Sequence, residues 1–338
     1  LNNFLKIMRN NNRQWILRKR PVGKISNDDL EFIETDIPEP GEGQALIQSI
    51  YLSIDPTNRI WMSDIDQYMP PVDIGHVMRG GCTAKVIKSN TPELLEGQYV
   101  SAFTCGWQDF AIVTPSEISP LPEKRKLPLT AYMSAAGFTG YTAYFGLLNI
   151  TNPKPGETVV VSTAAGAVGS VVGQIAKIKG CRVIGITGSD KKCEWIKSLG
   201  FDETINYKTQ NVLKELSRKC PEGIDIYFDN TGGEILDAVL TLINQNARIS
   251  VCGLISMYNE DKPVPGPYMY RNILMKRARV EGFIVSDFMH EWENAAAQLA
   301  IWIDEGKIQY KVDVQQGLEN ALSTVNMLFT GENEGKLI

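Results

Sequence analysis

One ten-residue stretch restricts the fold more than any other: Val160-Val161-Ser162-Thr163-Ala164-Ala165-Gly166-Ala167-Val168-Gly169. β-Branched residues run into a bend of small ones, and over 168–179 apolar residues then recur at helical spacing. A strand that enters a helix over such short side chains brings two backbones close together, and here it begins a series. Arg182–Thr187 reads as a second strand and 191–199 as a helix, and 224–228, 248–252 and 280–285 read as further apolar strands with helical segments between them. Strands that are apolar on both faces and alternate with helices predict an α/β fold built on a doubly wound parallel sheet.

The preceding part of the chain has another texture. Apolar runs at 45–52, 83–87, 99–103 and Phe110–Val113 are short and separated by turn signals such as Pro38-Glu39-Pro40-Gly41. They predict a mostly-β domain of the partly open barrel kind. After Pro128 a helical stretch at 135–145 leads to the turn Asn152-Pro153-Lys154-Pro155-Gly156. Helices over 291–303 and 317–329 precede a Gly-rich tail without a strand pattern of its own, which is expected to return to the first domain. The 338 residues exceed the roughly 250–300 at which a single core stops growing, so two domains are expected.

With 34 Lys and Arg against 39 Asp and Glu, the net charge of -5 gives no general attraction to nucleic acid or to an anionic membrane. No apolar run approaches the roughly 20 residues of a bilayer span. Residues 1–20 mix Asn, Lys, Arg and Trp and lack the apolar stretch of a signal peptide. The six cysteines (Cys82, Cys105, Cys181, Cys193, Cys220 and Cys252) form no CxxC pair, and they are expected to be reduced thiols of a cytoplasmic protein.

The bend fits the dinucleotide fingerprint with Ala164 in place of the first glycine. Gly166 lets the backbone approach a pyrophosphate, and Gly169 lets the helix pack against the sheet. The free N–H groups and dipole of the helix N-terminus favour the anion. Such a bend also serves plain helix–sheet packing, but the strand before it and the strand–helix units after it favour the dinucleotide. NAD-specific sheets end their second strand on Asp or Glu. Here that strand ends Ile186-Thr187-Gly188-Ser189, followed by Asp190-Lys191-Lys192, so hydroxyls and cations stand where a ribose 2′-phosphate would lie. The plain alternative is a solvated first helical turn decorated with Lys. A charge-assisted contact from Lys192, worth about 1.5–3 kcal/mol, favours NADP.

The chain resembles the zinc-independent medium-chain dehydrogenase/reductases, in the group of prostaglandin reductase, leukotriene B4 12-hydroxydehydrogenase and bacterial curcumin reductase. The resemblance runs over nearly the whole chain. It is carried by Leu52-Ser53-Ile54-Asp55-Pro56, Val77-Met78-Arg79-Gly80-Gly81, Gly106-Trp107-Gln108, Ile205-Asn206-Tyr207-Lys208, Tyr227-Phe228-Asp229-Asn230, Cys252-Gly253-Leu254-Ile255-Ser256 and Gly331-Glu332-Asn333. It implies a GroES-like, mostly-β substrate domain from residues 1–125 and 305–338, a Rossmann NADP-binding domain over 126–304, and an active site between them. It further implies that Ala165, Gly166, Ala167, Val168 and Gly169 take the diphosphate, and that Ser189, Lys192 and Tyr207 take the adenosine ribose phosphate. Asn230, Cys252, Gly253, Ile255, Ser256 and Tyr258 would line the nicotinamide side, Phe283, Ile284 and Val285 would close over it, and Asn333 would reach the cofactor from the tail. One departure is His76, in a place where an acidic residue is usual in the group.

Related alcohol dehydrogenases hold zinc with Cys and His, whereas this chain has only His76 and His290, no cysteine cluster, and Ser53-Ile54-Asp55-Pro56 where a catalytic cysteine would lie. No metal is therefore expected, and carbonyl chemistry lacks its Lewis acid. What remains is reduction of the C=C bond of an α,β-unsaturated ketone or aldehyde, in which hydride goes to the β-carbon and charge develops on the carbonyl oxygen. Tyr258 and Tyr68 are the expected donors to that oxygen, since a tyrosine with a pKa near 10 keeps its proton at neutral pH. Tyr68 is as readily explained as a loop aromatic packed under Pro70 and Pro71. The final proton is assigned to water. Cys105 and Cys252 have no His to make a thiolate pair and read as packed thiols, Arg79 reads as the brace of a tight turn, and Trp61, Met62 and Trp107 line either a cleft or the core. The alternatives are a quinone oxidoreductase of the same superfamily and an inactive nucleotide-binding protein. A homodimer through the edge of the parallel sheet is a family habit, though monomers also occur.

Overall fold

The structure, a computed structural model, describes residues 11–338; residues 1–10, half of the stretch that lacks a signal-peptide pattern, lie outside the described residues. Alternating apolar residues build the first elements. Strand β1 (Asn11–Leu17) pairs antiparallel with β2 (Leu30–Asp36), placing Trp15 opposite Phe32 with ring centroids 5.0 Å apart. Next come β3 (Ala45–Leu52), the short helix α1 (Thr57–Trp61), β4 (Cys82–Ser89), β5 (Tyr99–Ala102), β6 (Phe110–Val113) and β7 (Ile118–Pro120). They form a five-stranded antiparallel sheet in the order β6-β3-β4-β5-β7, whose inner face of Ala45, Ile47, Ala84, Val86, Val100 and Val113 is the core of this unit. A single turn, α2 (Leu129–Tyr132), follows.

Helix α3 (Phe138–Thr151) starts later than 135 because Gly137 is extended, and a Cβ there would lie 1.9 Å from the Tyr132 carbonyl oxygen. The alternation then proceeds as β8 (Thr158–Val161), α4 (Gly169–Ile178), β9 (Arg182–Thr187), α5 (Asp190–Ser198), β10 (Glu203–Asn206), α6 (Val212–Lys219), β11 (Ile224–Asp229), α7 (Gly233–Leu242), β12 (Ile243–Val251), α8 (Arg271–Lys276) and β13 (Arg279–Gly282). Helix α9 (Trp292–Asp304) and the short strand β14 (Val312–Asp313) close the series. The six parallel strands lie in the order β10-β9-β8-β11-β12-β13, the doubly wound arrangement. On one face Val159, Val161, Val183, Ile226 and Phe228 are fully buried with residues of α3, α4 and α9, and on the other Val160, Ile184, Ile186 and Tyr227 are fully buried with residues of α6 and α7. The order reverses between β8 and β11, and the carboxyl ends of those strands are where such sheets bind ligands.

Three expectations need correction. The run 280–285 is a strand only to Gly282. The Phe283 ring turns into the core edge-on to Phe228, over Gly146, where a Cβ would lie 2.3 Å from the ring; Val285 opens a 3-10 turn. The tail does not all return to the first unit. Of the described residues, that unit comprises 11–130 with Val314–Thr330, including helix α10 (Ala321–Thr330), and Ile338; residues 131–313 and Gly331–Leu337 form the second. The tail stays there because β15 (Lys336–Leu337) pairs parallel with β14 and Gly335 bridges Gly166. Finally, Cys82 and Cys105 are bonded as a disulfide, while Cys181, Cys193, Cys220 and Cys252 are free. Among the described residues no helix is long and apolar enough to cross a membrane.

Candidate functional site

The small-residue bend lies at the carboxyl end of β8. Thr163 has φ +49°, a left-handed conformation that is costly for a β-branched residue. It is held by the Gly166 N–H, which donates to the Thr163 carbonyl at 2.9 Å, and by Thr231, whose hydroxyl is 3.0 Å from that of Thr163. A Cβ on Gly169 would lie 2.4 Å from the Thr163 carbonyl oxygen and 2.9 Å from the Ala164 Cα, so close packing of α4 requires glycine. Ala164 fits in place of a glycine because β9 supplies Gly185 beside it, where a Cβ would come within 2.9 Å of the Ala164 Cβ. Ala165 is buried, Ala167 and Val168 are half-buried, and the first-turn N–H groups of α4 have no acceptor within the helix.

At the end of β9 the predicted phosphate residues come together. Ser189 caps α5, its hydroxyl accepting from the Lys192 N–H at 3.2 Å. Asp190, the nearest carboxylate, accepts from Asn206 Nδ2 at 2.7 Å. The Tyr207 N–H donates to Thr187 at 3.0 Å, and its ring covers Gly188, where a Cβ would lie 3.1 Å from it. Lys192 Nζ donates to the Gly331 carbonyl at 2.7 Å, and Lys208 Nζ lies 3.9 Å from where a Gly331 Cβ would stand. Burial first, and the charge of Lys208 second, hold Lys192 below the ordinary lysine range. Glu334 binds Lys191 and Lys311 together, which takes its carboxyl down to about 2. Asn333 is buried beside them, donating to the Gly335 carbonyl at 3.0 Å. Two ammonium groups and a capping hydroxyl suit a dianionic phosphate.

Sequence reasoning missed Lys208, Glu334 and Asp229. Asp229 is fully buried, and its Oδ1 accepts from the Tyr227 hydroxyl at 2.9 Å and from the N–H groups of Thr231 and Gly232 at 2.9 and 2.8 Å. Its Oδ2 has no hydrogen-bond partner, and burial raises the carboxyl above the usual range. Its carbonyl oxygen accepts from Cys252 and Gly253 at 2.9 and 3.1 Å. Asp229 thereby joins the ends of β11 and β12. Asn230 donates twice to Ser162, from its backbone N–H at 2.9 Å and from Nδ2 at 2.8 Å.

Residues 252–258 fold back on this end of the sheet. The Ile255 N–H donates to Asn230, and both the N–H and the hydroxyl of Ser256 donate to Thr231. The Leu254 N–H donates to the Tyr258 hydroxyl at 2.9 Å, which sets that oxygen 3.2 Å from where a Gly253 Cβ would stand. Burial pushes the Cys252 thiol up to about 12, so it is no nucleophile. Phe283 and Val285 are buried in the core and Ile284 is half-buried.

In the first unit, Tyr68 is 44% exposed, but its hydroxyl meets two partners: Trp61 Nε1 donates to it at 2.9 Å, and it shares a short hydrogen bond with the Thr57 hydroxyl. Burial of that end raises the phenol above its ordinary range. Arg79 lies over the Trp61 ring at 5.4 Å and donates to the Pro70 carbonyl at 2.9 Å, which braces the loop that carries Tyr68. Trp61, Met62 and Trp107 are core residues. His76 is exposed, and its carbonyl accepts from Leu17. His290 lies 3.5 Å from Glu291. Among the described residues no three of His, Cys, Asp and Glu form a group that could hold a metal ion.

Comparison with known proteins identifies the family. The family described as "N-terminal domain of oxidoreductase" matches residues 13–121, and that described as "Zinc-binding dehydrogenase" matches residues 167–301. The NADPH-dependent curcumin reductase of Escherichia coli (strain K12) is 42% identical over 333 residues, covering 97% of this chain and 96% of the relative. Prostaglandin reductase 1 of Bos taurus is 40% identical, over 96% of this chain and 98% of the relative. The crystal structure of CurA in complex with NADPH from Vibrio vulnificus superposes with a TM-score of 0.91 at 44% identity, covering 96% of this chain and 98% of that one.

Proposed function

The chain belongs to the zinc-independent medium-chain dehydrogenase/reductase family, in the group of the curcumin and prostaglandin reductases, and from that premise we propose that it uses NADPH to reduce the carbon–carbon double bond of small α,β-unsaturated ketones and aldehydes. The observation that carries the cofactor assignment is the meeting of Lys192, which donates to the Gly331 carbonyl, with Lys208, whose ammonium lies 3.9 Å from where a Gly331 Cβ would stand, at a strand end where the Asp190 carboxylate is already held by Asn206.

When bound, the reduced nicotinamide supplies hydride. The chain's own residues do the rest. The bend from Ala165 to Gly169 takes the diphosphate, and Ser189, Lys192 and Tyr207 take the ribose phosphate, with Lys208 added to them. Asn230, the loop from Cys252 to Tyr258 and Phe283 to Val285 shape the nicotinamide side, and Asn333 reaches the cofactor from the tail. In this reading the buried Phe283 and Val285 contribute through backbone and shape. Reduction at the β-carbon leaves enolate charge on the substrate's carbonyl oxygen. We assign Tyr68 as a donor to that oxygen, and Tyr258 as a second hydroxyl that acts on it directly or through the nicotinamide ribose.

The substrate is a small molecule. We place the reaction in the cytoplasm: Cys82 and Cys105 are paired, and the other four cysteines are free thiols. We also assign a homodimer through β13, an edge strand whose own Val280 is exposed, as are Leu274 and Met275 of the preceding α8. Light scattering that finds only monomer at micromolar concentration removes the dimer. For the cofactor, fluorescence titration is expected to give at least about tenfold tighter binding of NADPH than of NADH. Equal binding of the two would overturn the assignment.

A further inference from the structure

The Tyr68 hydroxyl is not an isolated group. It accepts a hydrogen bond from Trp61 Nε1 at 2.9 Å and is hydrogen-bonded to Thr57 Oγ1. Trp61 is buried with its ring fixed by Arg79 above it and by an edge-on contact with Phe103 at 5.8 Å, so its N–H is a stationary donor. An indole nitrogen only donates, whereas each hydroxyl brings one proton and two acceptor sites. Trp61 therefore occupies one acceptor site of the Tyr68 oxygen. The hydrogen bond between the two hydroxyls consumes one of their two protons, whichever of them donates. One hydroxyl proton is left over, and it points away from the pair. Thr57 opens α1 and is half-buried, and Tyr68 is 44% exposed, so the pair reaches from beneath the loop to its surface.

We propose that Thr57 and Trp61 are positioning residues that make Tyr68 a one-way proton donor, with Thr57 as the relay that refills it from water. This rests on the assignment of Tyr68 as donor to the substrate's carbonyl oxygen. Hydride forms the new bond at the β-carbon, and the C=C pair moves to give the enolate. Tyr68 passes its proton to the enolate oxygen, the Thr57 hydroxyl passes its proton to the Tyr68 oxygen, and a water molecule restores Thr57 and leaves hydroxide. The enol then becomes the ketone as its α-carbon takes a proton from a second water and its O–H proton goes to the hydroxide that this water leaves, so the one hydroxide from the water that refilled Thr57 remains in solvent. In sum, one hydride and one solvent proton are added. An enol and a phenol are of similar acidity, so the first transfer is nearly balanced.

Turnover of an enone is to be measured for Thr57→Val, Thr57→Ser, Trp61→Phe and Tyr68→Phe, in H2O and in D2O. Thr57→Val is expected to lower kcat about tenfold, part of the 10²–10³ of a direct donor, with little change in KM. Its solvent isotope effect should increase, and Thr57→Ser should return kcat to within about twofold of the original. Trp61→Phe should lower kcat severalfold, and it carries the test if Thr57→Val does not fold. Original turnover and isotope effect in Thr57→Val or, failing that, in Trp61→Phe overturn the relay while Tyr68→Phe remains impaired. Original turnover in Tyr68→Phe overturns the donor assignment beneath it.

Discussion

Single residues decide the chemistry, and their roles separate by what each touches. Tyr258 accepts from the Leu254 N–H of its own loop and is not among the residues assigned to the phosphates, so Tyr258→Phe is expected to lower kcat about 10²–10³-fold and leave the NADPH dissociation constant nearly unchanged. Unchanged turnover removes it from the mechanism. Lys192→Ala should cost about ten- to hundredfold in NADPH affinity and leave NADH binding as it was. The same lysine predicts a pH dependence. Its pKa is depressed, so the ammonium that holds the phosphate is present at neutral pH and is lost, as pH rises, earlier than for an ordinary lysine. The preference for NADPH over NADH should therefore narrow on the alkaline side, below the usual lysine range. Gly166, Gly169, Ser189 and Lys192 were legible in the sequence because they follow the first two strands of the alternation, β8 and β9, whereas Tyr207, after β10, rests only on the family resemblance. Asp229 was not legible. Its hold on Tyr227, Thr231 and Cys252 exists only once β11 and β12 lie side by side, and a lone Asp after a strand carries no such signal.

At the scale of elements, strands with their own periodicity were readable. Phe110–Val113 and Arg182–Thr187 begin and end where the pattern does. The early stop of β13 was not readable, because the place of the Phe283 ring is prepared by Gly146, far away in sequence. The two-residue strands β14 and β15 are too short to leave a pattern, so the tail's attachment to the dinucleotide unit was hidden. Beside that strand pairing, Glu334 pairs with both Lys191 and Lys311. Glu334→Gln is expected to speed amide exchange across Gly331–Leu337 and leave β8 and β9 unaffected; unaltered exchange would show that strand pairing alone holds the tail. Because the folded carboxyl lies near 2, well below its unfolded value, its contribution is present above the ordinary carboxylate range and fades as pH falls toward 2.

For the whole molecule, strand–helix alternation and short β runs announced a parallel sheet and a mostly-β partner, and both are present. The division of the chain between them was less legible, because it is decided by contacts of the last residues and not by their composition. The functional claim for the whole protein is hydride delivery to carbon, not to the carbonyl. The most direct measurement is product identification by gas chromatography–mass spectrometry after the protein, NADPH and 3-nonen-2-one are incubated together. The expected product is the saturated ketone, 2-nonanone, formed in equal amount to the NADPH consumed. The allylic alcohol, or NADPH left unoxidised, would contradict it.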